Sequence, residues 1–153
     1  MREILLDELR FSASVILSGE EVVPRFRVMT PEGDWTIFVP LPSGIHERMR
    51  RIRLVSGFMA WKSATTFVFS TETITPDAVF ATAIGRSEVL CVAPPILRKP
   101  LSVGENTWLK REAVGDEIVT LLPRGRVELD TETEAALIRA FGPHGEFETK
   151  RMS

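Results

Sequence analysis

Apolar residues recur at helical spacing through the middle of the chain, and the pattern then changes to that of a strand. The stretch 44–61 predicts a long central helix, and 64–71 is a dense run of β-forming residues that predicts a strand directly after it. Ser43 is the predicted N-cap of the helix. The face predicted to be buried carries Ile45, Met49, Ile52, Ser56 and Met59.

Alternating apolar and polar positions predict strands on both sides of this unit. The clearest signal is a hairpin whose strands, 25–29 and 35–39, are joined by a turn with proline early and glycine two residues later. The strand at 64–71 is apolar on both faces at its centre, so it is placed inside a sheet. Shorter apolar runs predict strands at 11–17 and 88–93.

The remaining segments divide into helices, a loop and a tail. Helical spacing predicts short helices at 2–9 and 112–122, and a helix after the capping box that begins at Thr131. The stretch 75–85 is ambiguous, because its alternation permits a strand while Thr75-Pro76-Asp77 is typical of a helix start; a short helix is preferred. Three prolines predict a long loop at 94–107, and the polar stretch 144–153 predicts a loose tail.

These elements are grouped more than they alternate, which favours the α+β class. A chain of 153 residues is long enough for one domain with a real core. The prediction is a single α+β domain over 1–153, with a largely antiparallel sheet, the long central helix packed on one face and further helices toward the C-terminus. A homodimer that forms through an edge strand of the first hairpin is a further possibility that the sequence allows.

Charge and cysteine content exclude several classes of protein. The net charge of −2 provides no general basic field for nucleic acid, so any anion binding must be local. The single cysteine, Cys91, excludes a disulfide framework and a cysteine-based zinc site, and its apolar neighbours predict a buried, inert thiol. No apolar run is long enough for a membrane helix, and the acidic start lacks a signal peptide, so the predicted location is cytoplasmic.

The first half of the central helix holds the most suggestive cluster of charged residues. Four arginines fall within 48–53, and His46, Arg50 and Arg53 share one edge of the helix that Gly57 continues. This edge is interpreted either as a solvated basic face, with a glycine where another element packs closely, or as a contact for an anion or nucleic acid. His46, Arg50 and Arg53 are therefore candidate ligand-binding residues.

Two further candidates lie outside the helix. Arg86 follows Gly85 in a turn and is suited to bind a carboxylate or phosphate at the edge of a cleft. Trp108 leaves the proline-rich loop and is a candidate contact for a ligand or a protein partner. The acids Glu72, Asp77 and Glu88 flank the inner strands, either as solvated turn residues or as members of a cleft.

No motif assigns chemistry to these residues. The chain has two histidines, His46 and His144, in no triad or metal-ligand spacing, so no catalytic residue, metal or cofactor is assigned. The preferred hypothesis is a non-catalytic binding or regulatory module that acts through a protein partner or an anionic ligand. The alternatives are a small enzyme with an acid and arginine cleft, and a nucleic-acid binder that uses the arginines of 48–53. Whether the protein is an enzyme stays open.

Overall fold

The computed structural model describes residues 1–152. Four α-helices and nine strands follow one another along the chain, with a 3-10 turn at Arg111–Ala113 before the third helix. In chain order they are α1 (Arg2–Leu17), β1 (Arg25–Thr30), β2 (Gly33–Phe38), α2 (Ile45–Trp61), β3 (Thr66–Thr73), β4 (Ala78–Ile84), β5 (Val89–Val92), β6 (Ile96–Arg98), β7 (Leu101–Val103), β8 (Trp108–Leu109), α3 (Asp116–Val119), α4 (Thr131–Phe141) and β9 (Thr149–Arg151).

Seven strands form one antiparallel sheet in the order β8-β5-β4-β3-β1-β2-β9, and β6 and β7 form a separate hairpin. Side chains alternate across this sheet, so Phe67 and Phe69 of β3 join the core beneath α2 while Val68 joins the core beneath α1. Helices therefore cover both faces. The single α+β domain with a largely antiparallel sheet, the predicted hairpin and the interior position of β3 are confirmed.

The central helix lies where it was predicted, but a partly different stripe of it faces the sheet. The buried residues are Ile52, Val55, Phe58 and Met59, whereas Ile45 is 63% exposed and Met49 is 41% exposed. The predicted stripe is thus confirmed at Ile52 and Met59 and wrong at Ile45 and Met49. The second half of the helix is apolar nearly all round, so its own pattern does not select a side, and Val55 and Phe58 are buried as well. The predicted cap was also wrong: the N-cap is Gly44, and no side chain caps this end.

The first helix extends through a segment predicted as a strand. Residues 11–17 continue α1, and the helix buries a stripe at four- and three-residue spacing that comprises Leu5, Leu9, Ser12 and Ile16. The strand prediction for 11–17 was wrong because the short window holds adjacent β-branched residues and omits the leucines that begin the stripe. This helix packs on the sheet face opposite α2.

Residues 75–85 form a turn and strand β4, so the preferred helix was wrong and the alternation was the correct signal. Strand β4 pairs along its length with β3, from Ala78 to Ile84, and its second half pairs with β5. The proline that resembled a helix start lies in the β3–β4 turn, where its carbonyl accepts a hydrogen bond from the Thr73 hydroxyl at 2.7 Å. Pairing on both sides therefore prevails over the local helix signal.

Two predictions in the second half of the chain were partly wrong. The predicted loop at 94–107 contains the β6–β7 hairpin and ends near β8. The predicted helix at 112–122 is reduced to the 3-10 turn and the four-residue α3, because the chain turns at Gly115. Three apolar residues of this segment, Val114, Ile118 and Leu121, are buried in the core under α2.

The stretch after α4 is an ordered part of the sheet rather than a loose tail. Phe147 is buried against Phe141, with ring centroids 5.6 Å apart. Strand β9 then pairs with β2 and covers the outer side of the first hairpin. Both hairpin strands are therefore internal to the sheet, and the predicted homodimer through a hairpin edge has no free edge there to use.

The N-cap of α4 is Asp130 rather than the predicted Thr131. The Asp130 carboxylate accepts a hydrogen bond from the Thr133 N–H at 2.7 Å, and this bond lowers the pKa of Asp130 below its ordinary value of 3.8. The pKa of Asp130 is lower in the folded protein than in the unfolded chain. The cap therefore stabilises the protein at pH values above the ordinary pKa, and this contribution is lost as the pH falls through the folded pKa.

We expect Asp130→Ala to lower the Tm at neutral pH, whereas Thr131→Ala leaves the Tm closer to that of the wild type. Thermal unfolding followed by circular dichroism would measure both variants between neutral pH and about pH 3. The deficit of Asp130→Ala should shrink toward the acid end of this series, because the wild-type carboxylate then loses its charge. A larger deficit for Thr131→Ala would return the cap to the predicted position.

The single cysteine lies in β5 and is buried, as predicted. Burial raises the pKa of the Cys91 thiol to about 11, so the thiol is protonated at neutral pH. Because the thiolate is the reactive form of cysteine, both the burial and the raised pKa favour an inert side chain.

Candidate functional site

Three of the four arginines in the first half of α2 are neutralised by carboxylates. Arg50 donates to Glu47 at 2.7 Å and to Glu146 at 3.1 Å, and Arg51 donates to Glu47 at 2.8 Å. These bonds lower the pKa of Glu47 to about 2. Arg48 pairs with Glu117 at the start of α3, with an Nε to Oε1 distance of 3.0 Å. The predicted basic face is therefore largely a set of ion pairs that link α2 to neighbouring segments.

The other two candidates on this helix are exposed and do not form a common site. His46 lies on the surface in the first turn of α2. Arg53 and Arg50 line a shallow cleft of about 370 Å³ between α2 and α4, and His46 is not part of its lining. At the end of this cleft, a Cβ added to Gly57 would lie 2.9 Å from a Leu137 methyl carbon. The glycine thus marks the close packing of α4.

Two of the acids at the strand ends, Glu72 and Asp77, share Arg98 as an ion-pair partner, and Glu88 lies apart from them. Glu72 accepts a hydrogen bond from the Val22 N–H at 2.7 Å. Asp77 forms a two-bond ion pair with Arg98, at 2.8 and 3.0 Å, which lowers the pKa of Asp77. Glu88 lines a different cavity from either acid. None of the three cavities described above and below joins any of these acids to His46. The acids and the histidine therefore share no cleft among these three.

Trp108 lies on β8, the outer strand at one side of the sheet. Its side chain is 40% exposed, and the guanidinium of Arg2 stacks on the indole 4.5 Å from the ring centroid. Leu109 next to it is also exposed. This edge is an exposed apolar surface, and neither residue lines the cleft between α2 and α4 or the cavity at Arg86.

Arg86 lines a cavity of about 530 Å³, which we call the basic pocket. Two other arginines, Arg111 and Arg124, line the same cavity, together with a single carboxylate, Glu88. The hydroxyl-bearing residues Ser87 and Thr120 complete its polar lining. Three cations and one anion therefore surround one space that is open to solvent.

Three separate segments supply these arginines. The turn between β4 and β5 is closed by a hydrogen bond from the Gly85 N–H to the Glu88 carbonyl at 2.9 Å, and Arg86 lies at its tip. Arg111 begins the 3-10 turn after β8, and Arg124 lies in the connection between α3 and α4. Each arginine is held on a loop at the rim of the sheet, where functional side chains are commonly placed.

These three arginines differ from Arg48, Arg50 and Arg51 of α2 in having no partner. Within residues 1–152, the side chains of Arg86, Arg111 and Arg124 form no hydrogen bond or ion pair, and all three are exposed. Unpaired guanidinium groups that face one cavity raise the local positive potential and attract anions. The sequence identified Arg86 alone. Arg111 and Arg124 were missed because no spacing connects three separate loops before the fold brings them together.

Comparison with protein-family models, curated proteins and solved structures gave no match. In 1–152 no helix combines the length and the apolarity that crossing a membrane requires. The same residues contain no group of three or more histidine, cysteine, aspartate or glutamate side chains placed to hold a metal ion. The functional hypothesis therefore rests on the geometry of the chain itself.

Proposed function

We propose that this protein is a non-catalytic binding module that holds a small anionic ligand in the basic pocket. One observation carries the proposal: Arg86, Arg111 and Arg124 line a single cavity without any carboxylate paired to them. The ligand class is a compact molecule with carboxylate or phosphate groups, because these groups match the planar, two-pronged geometry of a guanidinium.

The chemistry of the lining favours binding over proton transfer. A guanidinium remains protonated at all accessible pH values and only donates hydrogen bonds, so it fixes an anion without acting as an acid or a base. The hydroxyl groups of Ser87 and Thr120 add donors that orient oxygen atoms of the ligand. Glu88 repels a second negative group on one side of the pocket and thus favours ligands of limited charge.

The two alternatives receive less support from the same geometry. A nucleic-acid surface on 48–53 would have to displace Glu47, Glu146 and Glu117 from their arginines, and the net charge of −2 gives no long-range attraction. An enzyme that uses Glu72, Asp77 or Glu88 with His46 would need an acid and the histidine in one cleft, and none of the three cavities joins any of these acids to His46.

Titration calorimetry with pyrophosphate, citrate and AMP at low ionic strength would test the proposal. We expect at least one of these anions to bind, with an affinity that falls as salt is added. Arg86→Ala should weaken that binding about ten-fold or more, because it removes a charge-assisted, two-pronged contact. Arg126→Ala is the matched control, since Arg126 is exposed on the same connection as Arg124 but does not line the pocket.

Two results would overturn the proposal. One is the absence of binding to all three anions, and the other is equal weakening by Arg86→Ala and Arg126→Ala. Labelled single-stranded and duplex oligonucleotides, titrated in parallel, test the nucleic-acid alternative. Oligonucleotide binding that is lost in Arg53→Ala and retained in Arg86→Ala would assign the function to α2 instead.

We also propose a cytoplasmic location, on the basis of the single cysteine, Cys91, which is buried and forms no disulfide. A protein partner is proposed as the second mode of action, with the exposed β8 edge at Trp108 as its contact surface. Loss of a partner on Trp108→Ala, with anion binding intact, would separate this mode from the basic pocket.

A further inference from the structure

A second cavity, of about 540 Å³, lies where the C-terminal end of α2 meets the segment between α4 and β9. We call it the aromatic pocket, because five phenyl and indole rings and the imidazole of His144 line it; the five are those of Trp35, Phe58, Trp61, Phe141 and Phe147. Phe58 is at the centre of this group, with ring centroids 6.0 Å from Trp35, 6.2 Å from Trp61 and 5.0 Å from Phe141. The two pockets share no lining residue.

Lys62 brings a positive charge into this apolar surround. Its ammonium nitrogen lies 3.8 Å from the centroid of the Trp61 ring and 4.7 Å from that of Trp35. Burial lowers the pKa of Lys62, and within residues 1–152 no carboxylate forms an ion pair with it. The more distant carboxylates of Glu32 and Glu134 raise the pKa of Lys62, but they offset the effect of burial only in part. The ammonium group is therefore incompletely solvated and lacks an anionic partner.

We propose that the aromatic pocket binds a small carboxylate with an aromatic or alkyl body, whose carboxylate pairs with the Lys62 ammonium while the rings cover the body. The volume is typical of small-molecule sites, which combine a mostly apolar lining with a few placed polar groups. The indole rings of Trp35 and Trp61 both adjoin the charge and add flat apolar surface beside it.

The local charges favour an anion over a cation. The Arg151 guanidinium lies 5.6 Å from the Trp35 ring centroid, so the indole faces are already associated with two cations. Glu148, the carboxylate that lines the pocket, is paired with Lys150 at 3.1 Å. A cationic ligand would therefore meet uncompensated positive charge, whereas a carboxylate would neutralise it.

Three ligands that differ only in the head group provide the test: phenylpropionate, phenylpropanol and phenylpropylamine. Tryptophan fluorescence in a Trp108→Phe background reports on the pocket, because the two remaining tryptophans, Trp35 and Trp61, both line it. We expect saturable binding of the acid, about ten-fold tighter than that of the alcohol, with the amine weakest.

Lys62→Met keeps the aliphatic stem and removes the charge, so it should lower the affinity for the acid to that for the alcohol and leave the alcohol unchanged. Lys62→Arg should retain the preference for the acid, which separates loss of charge from loss of fold. Lys110→Met, at an exposed lysine outside the pocket, should bind all three ligands like the background protein.

Three outcomes would overturn the inference. The first is that the amine binds most tightly, which would mean that the pocket is an aromatic cage for cations and that Lys62 occupies it in the free protein. The second is that the acid and the alcohol bind with equal affinity. The third is that no ligand gives a saturable signal. These outcomes are independent of anion binding at the basic pocket. Phenylpropionate binding is detected by the fluorescence of Trp35 and Trp61, whereas pyrophosphate binding is tested by calorimetry with Arg86→Ala.

Discussion

Replacing Phe58 with alanine should lower the free energy of unfolding by about 3–5 kcal/mol. Phe58 is 0% exposed and packs edge to face on Trp35 and Trp61. The variant would leave a cavity between α2 and the sheet, and the surrounding rings would lose their dispersion contacts with it. Because Phe141 of α4 also contacts this ring, the loss reaches two helices.

Urea unfolding followed by circular dichroism would measure this loss, with the slope of the transition checked for two-state behaviour. Phe67→Ala, in the strand that faces α2, should destabilise by a similar amount. Ile74→Ala is the control, because Ile74 is 91% exposed and its variant should remain within about 0.5 kcal/mol of the wild type. A loss below about 1 kcal/mol for Phe58→Ala would show that this unit is not the core.

The second large effect is expected at the ion pair beneath α1. Glu8→Ala should cost about 3–5 kcal/mol, because it leaves the Arg25 guanidinium buried without its counter-charge. Glu8 is 2% exposed and Arg25 is 8% exposed, and Arg25 Nε lies 2.6 Å from Glu8 Oε2. The Phe11 ring covers the guanidinium at 3.6 Å, and the Ser70 hydroxyl lies 3.4 Å from Oε2.

A double variant distinguishes the cost of a lone charge from the value of the pair. Glu8→Leu/Arg25→Met removes both charges and retains apolar volume, so it should be much closer to the wild type than Glu8→Ala is. Asp7→Ala breaks the exposed pair with Arg10 on the same helix and should cost less than about 1 kcal/mol. A double variant as unstable as the single one would contradict this account.

The parts of the fold that the sequence predicted are those in which local pattern and distant contacts agree. Strand β3 was assigned to the sheet interior because it is apolar on both faces, and α1 and α2 do cover those faces. The first hairpin was predicted by its turn, and Gly33 at φ 125° has the positive backbone angle that glycine alone adopts readily. Both signals lie within a few residues of the structure that they predict.

The errors arose where a distant partner decides between two local possibilities. At 75–85 both a helix and a strand satisfy the sequence, and the flanking strands β3 and β5 select the strand. At 11–17 a helix forms where a strand was predicted. The buried stripe that begins at Leu5 extends the helix through the β-branched residues of this segment. Burial against the sheet outweighs a propensity difference of a few tenths of a kcal/mol per residue.

The candidate sites show the same division. Arg86 could be proposed from its place after a turn glycine, but Arg111 and Arg124 become relevant only when three loops meet. Nothing in the sequence marks Lys62 as a site residue, because a lysine directly after a helix is common. Its position becomes significant only in the fold, which places two indole rings beside its ammonium group. Trp61 ends the predicted central helix, and its half-buried ring forms a wall of the aromatic pocket.

The pairing of β9 with β2 has a consequence for how the chain is made. Arg151 donates a hydrogen bond to the Glu32 carbonyl across a sequence separation of 119 residues, so β2 is synthesised long before the strand that covers it. Until then the outer side of β2 presents unpaired N–H and C=O groups, which are a template for pairing with another chain. In the nascent protein this side of β2 is therefore protected from such pairing only after β9 has been made.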